Sequence, residues 1–187
     1  MDIPYGSTAH HAFVTNVGLI TSAGPHGENV MAAEWTHHLS YSPGILAVCL
    51  GLNKATTENI RATKEFGVSI AASGQNVLAS LAGKYSGKTT NKMDALRELG
   101  FRFMAAKTIK APLIEGAALQ LECRLIDERP YGDHILFAGE VIHLIDNAAT
   151  LPVIYNRGKY WTFGEQIQKP PQEELDRITA VMEKHAK

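Results

Sequence analysis

The chain has 187 residues, with 18 Lys+Arg against 19 Asp+Glu, a formal net charge of −1 and 45% hydrophobic residues. That is the length of one domain, here taken as 1–187, and the apolar content excludes a disordered or low-complexity chain. A balanced charge gives no electrostatic basis for nucleic-acid binding, which needs a clustered basic excess.

Other classes fall away on local grounds. No run approaches the ~18 consecutive apolar residues of a membrane span. The opening Met1-Asp2-Ile3-Pro4 carries an acid where a secretory signal carries Lys or Arg. Two cysteines, Cys49 and Cys123, both within apolar segments, do not make a disulfide framework. The expectation is a cytoplasmic protein with reduced thiols, in contact with neither membrane nor nucleic acid.

In chain order, Ala12 to Ser22 reads as a strand, closed by the turn Gly24-Pro25-His26-Gly27. Asn29 to Leu39 resumes an extended segment and should complete a hairpin. After Tyr41-Ser42-Pro43-Gly44, the apolar run Ile45 to Leu50 reads as a strand covered on both faces. A short helix is expected from about Thr56 to Lys64, with threonines and Glu58 suited to its N-terminus. Phe66 to Ala71 is a further strand, and Asn76 to Ala82 a turn or two of helix. Gly83 to Asn91 is a loop by composition, and Met93, Leu96 and Leu99 recur at helical spacing before Gly100.

Ala118 to Ile126 alternates most clearly. Leu119, Leu121, Cys123 and Leu125 point one way; Gln120, Glu122 and Arg124 point to what should be a wet or functional face. Arg129 to Asp133 turns the chain into the strand His134 to Ile145. Leu151 to Tyr155 and Lys159 to Phe163 form an extended pair. After Pro170-Pro171, Leu175, Ile178, Val181 and Met182 mark an amphipathic C-terminal helix within 170–187. Hairpins dominate and helices are inserted between them, which argues for a mainly β, antiparallel barrel or sandwich rather than a doubly wound parallel sheet.

Several motifs carry less than they promise. Gly87-Lys88-Thr89 resembles the end of a phosphate-binding P-loop, but Ala82 stands where that motif needs its first glycine. His10-His11 and His37-His38 are adjacent pairs; on a strand each pair offers at most one ligand to a shared site, so no metal is expected. Glu122 and Glu140 are best read as polar residues of solvated strand faces. The segment Asn53-Lys54-Ala55-Thr56-Thr57-Glu58 places a lysine, two hydroxyls and a helix N-terminus together, which suits a phosphate monoester. Taken alone, it suits an ordinary capped helix with a solvated lysine at least as well.

An ordered set of segments adds a resemblance. Asn29 to Trp35 is followed by Ser40 to Pro43, Lys54 to Ile60, Glu65 to Ile70, Ser86-Gly87 with Lys92, Leu121 to Cys123, Gly139 to Val141, and a tail from Leu151-Pro152 to Gly164. From about Phe13 to Gly164 the chain resembles the flavin reductase-like family of FMN-binding split barrels, in its flavoredoxin-like branch. The resemblance implies an antiparallel split β-barrel and a homodimer with FMN near the subunit interface. It assigns the phosphate to Lys54, Thr56 and Thr57, with Asn53 as neighbour. It places Ala33, Glu34, Trp35 and Thr36 beside the isoalloxazine, partly through backbone groups, with Ser86 and Lys92 as further contacts.

His10-His11 stand where many relatives carry a Pro-Arg-Pro-like sequence, which is a departure on the nicotinamide side. The resemblance further implies hydride transfer from NADH or NADPH to flavin, with no catalytic side chain required because the cofactor carries the chemistry. The alternative within the same resemblance is an FMN-binding electron carrier reduced by a redox protein partner, without nicotinamide turnover.

Overall fold

A computed structural model describes residues 1–185. A 3-10 turn at His10–Ala12 leads into β1 (Thr15–Asn16), β2 (Gly18–Gly24), β3 (Gly27–Ala33), β4 (Thr36–Tyr41) and β5 (Gly44–Gly51). Then come α1 (Ala55–Thr63), β6 (Glu65–Ile70), α2 (Asn76–Lys84), α3 (Lys92–Glu98), β7 (Phe103–Met104) and β8 (Leu113–Ile114). The long hairpin β9 (Leu119–Tyr131) and β10 (His134–Asp146), the short pair β11 (Ile154–Asn156) and β12 (Lys159–Trp161), and α4 (Gln172–Lys184) complete the chain.

Seven strands form one antiparallel sheet in the order β3-β2-β6-β9-β10-β5-β4. Strands β3 and β4 stand at its opposite ends, yet only Glu34 and Trp35 separate them in sequence. A two-residue link spans opposite edges only if the sheet rolls back on itself. The Cys49 N–H donates to the Trp35 carbonyl at 2.9 Å and ties the seam. The mainly β, antiparallel split-barrel architecture expected from the sequence is the one observed.

Ile20, Val48, Leu50, Ile60, Phe66, Val68, Cys123 and Phe137 fill the interior of the roll. A second apolar layer, with Leu19, Val30, Leu78, Ala82, Met93 and Leu96, joins the outer face of β2 and β3 to α2 and α3. Helix α1 is pinned by buried Asn59, whose side-chain amide donates to Ser22 Oγ and the Gly27 carbonyl while its oxygen accepts the His26 N–H. These three bonds fix the middle of α1 relative to the β2–β3 turn.

Two expectations are corrected. His10 and His11 lie in the 3-10 turn rather than on a strand. Gln120 and Glu122 are buried, because the segment carrying β7 and β8 covers the face of β9 that the alternation assigns to solvent. Glu140 lies with Arg124 at 2.5 Å, whereas Glu122 accepts N–H groups of Lys107 and Thr108 at 2.7 and 2.6 Å. The C-terminal helix forms at Gln172–Lys184 with no buried residue, and the last two positions of the 170–187 segment lie outside the described residues. Among the described residues, no helix is long and apolar enough to cross a membrane.

Candidate active site

The site begins where β5 ends. Gly51 closes the strand, and Lys54, with extended backbone (φ −92°, ψ 145°), is the N-cap of α1. Its side chain makes no capping bond, and the first N–H used within the helix is that of Glu58, donated to the Lys54 carbonyl at 3.2 Å. The N–H groups of the first turn therefore lack intrahelical acceptors, at the positive end of the helix dipole.

A small cavity of about 90 Å³ opens there, lined by Lys54, Thr56, Ser86, Lys92 and Asn29 among others. Thr56 Oγ1 accepts the Asn29 side-chain N–H at 2.8 Å, which leaves its own proton to donate. Ser86 Oγ accepts the Lys88 N–H at 3.2 Å and is likewise left with a free proton. Lys92, only 5% exposed, donates from Nζ to the Ala82 carbonyl at 3.0 Å. Burial lowers its pKa to about 8, and the charge of Lys54 pushes the same way.

Among the described residues, no carboxylate lines this cavity, although three lysines do. Buried cations normally have a carboxylate partner. A cavity with two convergent ammonium groups, two free hydroxyls and an uncapped helix start is built to receive an anion. A phosphate dianion fits that donor set.

The cavity continues, past Met31, Lys54 and Gly83, into a cleft of about 440 Å³ along the end of β3. Ala33, Glu34 and Trp35 line this cleft, with Tyr5, His10 and His134 around it. The Trp35 ring is half-exposed and lies against that of His134, centroids 4.4 Å apart, so it forms wall rather than core. His134 Nδ1 lies 2.7 Å from Asp133 Oδ1, which orients the ring. The N-terminal turn reaches the same wall through His10 Nε2, 3.5 Å from Glu34 Oε2. Cys49 also lines the cleft, but burial pushes its thiol pKa up, so it is held as a thiol rather than a nucleophilic thiolate.

Lys54, Thr56, Ser86 and Lys92 are thus brought together at one end, and Ala33, Glu34 and Trp35 at the other. Three expected contacts are placed differently. The Thr57 hydroxyl is buried and donates to the Gly51 carbonyl at 3.0 Å, so only its backbone N–H remains available. Thr36 points inward, donating to the Ala33 carbonyl at 3.2 Å beneath Gly18, where a Cβ would fall 2.2 Å from its hydroxyl. Asn53 is exposed and lines neither cavity. Asn29, Met31, Tyr5 and His134 belong to the site and were not anticipated.

Comparison with known proteins decides the family. The sequence profile of the flavin reductase like domain matches residues 10–164. The chain belongs to the flavin reductase like family. It spans a little under two thirds of the length of two curated relatives it matches; one, an uncharacterized protein of Archaeoglobus fulgidus, is 36% identical over 116 residues, covering 62% of this chain and 64% of that one. A member from Variovorax paradoxus named FMN reductase (NADH) is 28% identical over 159 residues, 83% of this chain and 80% of its own. The solved NADH:FAD oxidoreductase of Streptomyces globisporus C-1027, in complex with NAD and FAD fragments, superimposes with a TM-score of 0.74 at 26% identity, covering 83% of this chain and 89% of that one.

Proposed function

We propose that this chain is a flavin reductase that takes a hydride from NADH onto bound FMN. The observation that carries this reading is the pair Lys54 and Lys92 facing one small cavity with no carboxylate, continuous with a longer cleft bordered by strand backbone. Lys92, Lys54, Ser86, Thr56 and the first-turn N–H groups of α1 hold the phosphate. Ala33, Glu34 and Trp35 border the ring system, with edge groups of the β3 backbone available for hydrogen bonds.

When bound, flavin supplies the hydride-accepting chemistry. The residues of this chain position it: they anchor the phosphate, align the ring along β3, and leave the side towards Tyr5, His10 and His134 for the nicotinamide. Productive transfer needs reacting atoms about 3–3.5 Å apart, which is a matter of alignment rather than of acid–base groups. A second copy completing the cleft as a homodimer, and a cytoplasmic setting, belong to the same reading.

The test is anaerobic reconstitution with FMN followed by NADH or NADPH. Prompt bleaching of the yellow colour with NADH is expected. Colour that persists with both nucleotides but yields to chemical reductant would instead assign an electron carrier served by a redox protein. Lys54→Ala combined with Thr56→Ala should weaken FMN far more than riboflavin, which lacks the phosphate. Equal loss for both ligands would place the phosphate elsewhere.

A further inference from the structure

The backbone of Glu34 is held at the seam of the rolled sheet. Its carbonyl accepts the Thr36 N–H at 3.1 Å, and the next carbonyl, that of Trp35, accepts the Cys49 N–H at 2.9 Å. The side chain is served less well. Its carboxylate is only 28% exposed, yet among the described residues no hydrogen bond reaches it, and its nearest counter-group, His10 Nε2, stands 3.5 Å away. His10 Nδ1 accepts the Gly6 N–H at 3.2 Å, which is the geometry of a neutral imidazole rather than an imidazolium. A carboxylate withdrawn from water normally gathers donors or a cation. Glu34 has neither, and it borders both the cleft and an adjoining cavity of about 370 Å³ lined by Tyr5, Tyr155 and Tyr160.

Neighbouring groups feel this charge. Burial pushes the pKa of the Tyr155 hydroxyl up, contact with Tyr5 adds to the rise, and the charge of Glu34 adds further. The other charges nearby do not answer it. Lys92 lines the phosphate cavity and not the cleft, and a bound phosphate occupies the ammonium groups of Lys54 and Lys92. Lys84, beside the tyrosine-lined cavity, is exposed and lies over the Tyr85 ring at 5.6 Å. Asp133 adds a second negative charge to the cleft, but it is in open water and paired with His134.

We propose that Glu34 determines which oxidation state of the flavin the site prefers, by holding the reduced ring less tightly than the oxidised ring. The inference rests on the flavin reading above and goes beyond it, since that reading sets Glu34 beside the ring without giving its charge a task. The oxidised ring is neutral. A hydride brings two electrons and one proton, so its acceptance leaves the ring with one negative charge beside a fixed carboxylate. Charge near the ring is one of the levers by which a protein sets flavin electronics. A like charge at close range commonly shifts a charge-forming equilibrium by about tenfold or more. Weaker binding of the reduced form lowers the midpoint potential below that of free FMN, by about 30 mV for each tenfold difference in affinity.

Reductive titration of the FMN-loaded chain against a reference dye, at mildly alkaline pH, tests this beside direct titration of oxidised FMN. In the wild type, reduced FMN should bind about tenfold less tightly than oxidised FMN, a potential about 30 mV below that of the free flavin. Glu34→Gln is nearly isosteric and breaks no hydrogen bond, so it should fold. It should tighten reduced FMN about tenfold relative to oxidised FMN and raise the potential by about 30 mV. Glu34→Asp keeps the charge and should stay near the wild-type potential. A wild-type potential at or above that of free FMN, an unchanged potential in Glu34→Gln, or equal shifts in the Gln and Asp variants would overturn the role of Glu34 while leaving the flavin site standing. A wild type that binds no FMN would overturn the flavin reading itself.

Discussion

A lysine ammonium withdrawn from water without a carboxylate beside it is an unusual arrangement, and Lys92 carries the chemistry of this site further than any other residue. Its folded pKa of about 8 lies below the ordinary 10.5, because burial disfavours the charged form and Lys54 repels it. Between those two values the unfolded chain keeps a proton that the folded chain has lost. Stability of the ligand-free protein therefore rises as pH increases through that window. A bound phosphate dianion reverses the preference and draws the proton back. FMN binding above pH 8 should accordingly take up protons, seen as heats that differ between buffers of different ionisation enthalpy. Lys92→Met should abolish that uptake and weaken FMN by about 10- to 150-fold, equivalent to one charge-assisted hydrogen bond of about 1.5–3 kcal/mol, while riboflavin binding is unchanged. Unaltered FMN affinity in Lys92→Met would place the phosphate elsewhere. Lys54 and Thr56 were legible from a helix start. Lys92 was reachable only through the order of matching segments, since a lysine in the sequence does not disclose that it is buried. The directions of the Thr36 and Thr57 hydroxyls are not legible in the sequence, because they depend on Gly18 and Gly51, which meet them only in the fold.

In strand β9 the two-residue period is legible in the sequence and the environment of its polar face is not. The alternation placed Leu119, Leu121 and Cys123 on one face and Gln120 and Glu122 on the other, as found. The alternation alone does not disclose that the polar face is covered. The segment that covers it, around β7 and β8, contains only two-residue strands and offers little hydrophobic period to announce itself. Glu122 is what that segment is built on. Burial raises its pKa, but N–H groups of Lys107, Thr108 and Ile109 and the Thr108 hydroxyl together outweigh burial and hold it below the usual range. A depressed carboxylate stabilises the fold above the unfolded pKa, and that contribution is lost as pH falls through the folded value. Glu122→Leu leaves the loop N–H groups without their acceptor and should lower unfolding free energy by about 3 kcal/mol at pH 7. In denaturant titrations the deficit should shrink at acidic pH, where the wild type loses the same interaction. A deficit independent of pH would mean that packing, not the carboxylate, is at work.

For the whole molecule, the unresolved balance is between the surface a rolled sheet can bury by itself and what it leaves bare. Closure through Glu34 and Trp35 buries one apolar set inside the roll and another beneath α2 and α3. It leaves Phe13, Val14, Trp35, Leu39, Trp161 and Phe163 exposed, and β4 as a sheet edge. Helix α4 adds a stripe of Ile178, Val181 and Met182 that stays exposed among the described residues. A 13-residue amphipathic helix gains little from its own hydrogen bonds in water, so its stability must come from an apolar partner. In the proposed homodimer a second copy would provide one, because a two-fold axis sets the same unfilled patch opposite itself. A stable interface needs roughly 800 Å² from each partner, which residues of the N-terminal turn, the cleft rim and the C-terminal tail could together supply. Sedimentation equilibrium should therefore give twice the 20.4 kDa chain mass. Ile178→Glu with Val181→Glu should shift the population towards monomer without unfolding the barrel, because neither side chain is buried in it. If Trp35 and the cleft rim lie within the interface, flavin affinity should fall in step with dimer content across a dilution series. A wild-type monomer retaining full affinity for FMN would show instead that one chain builds the whole cleft.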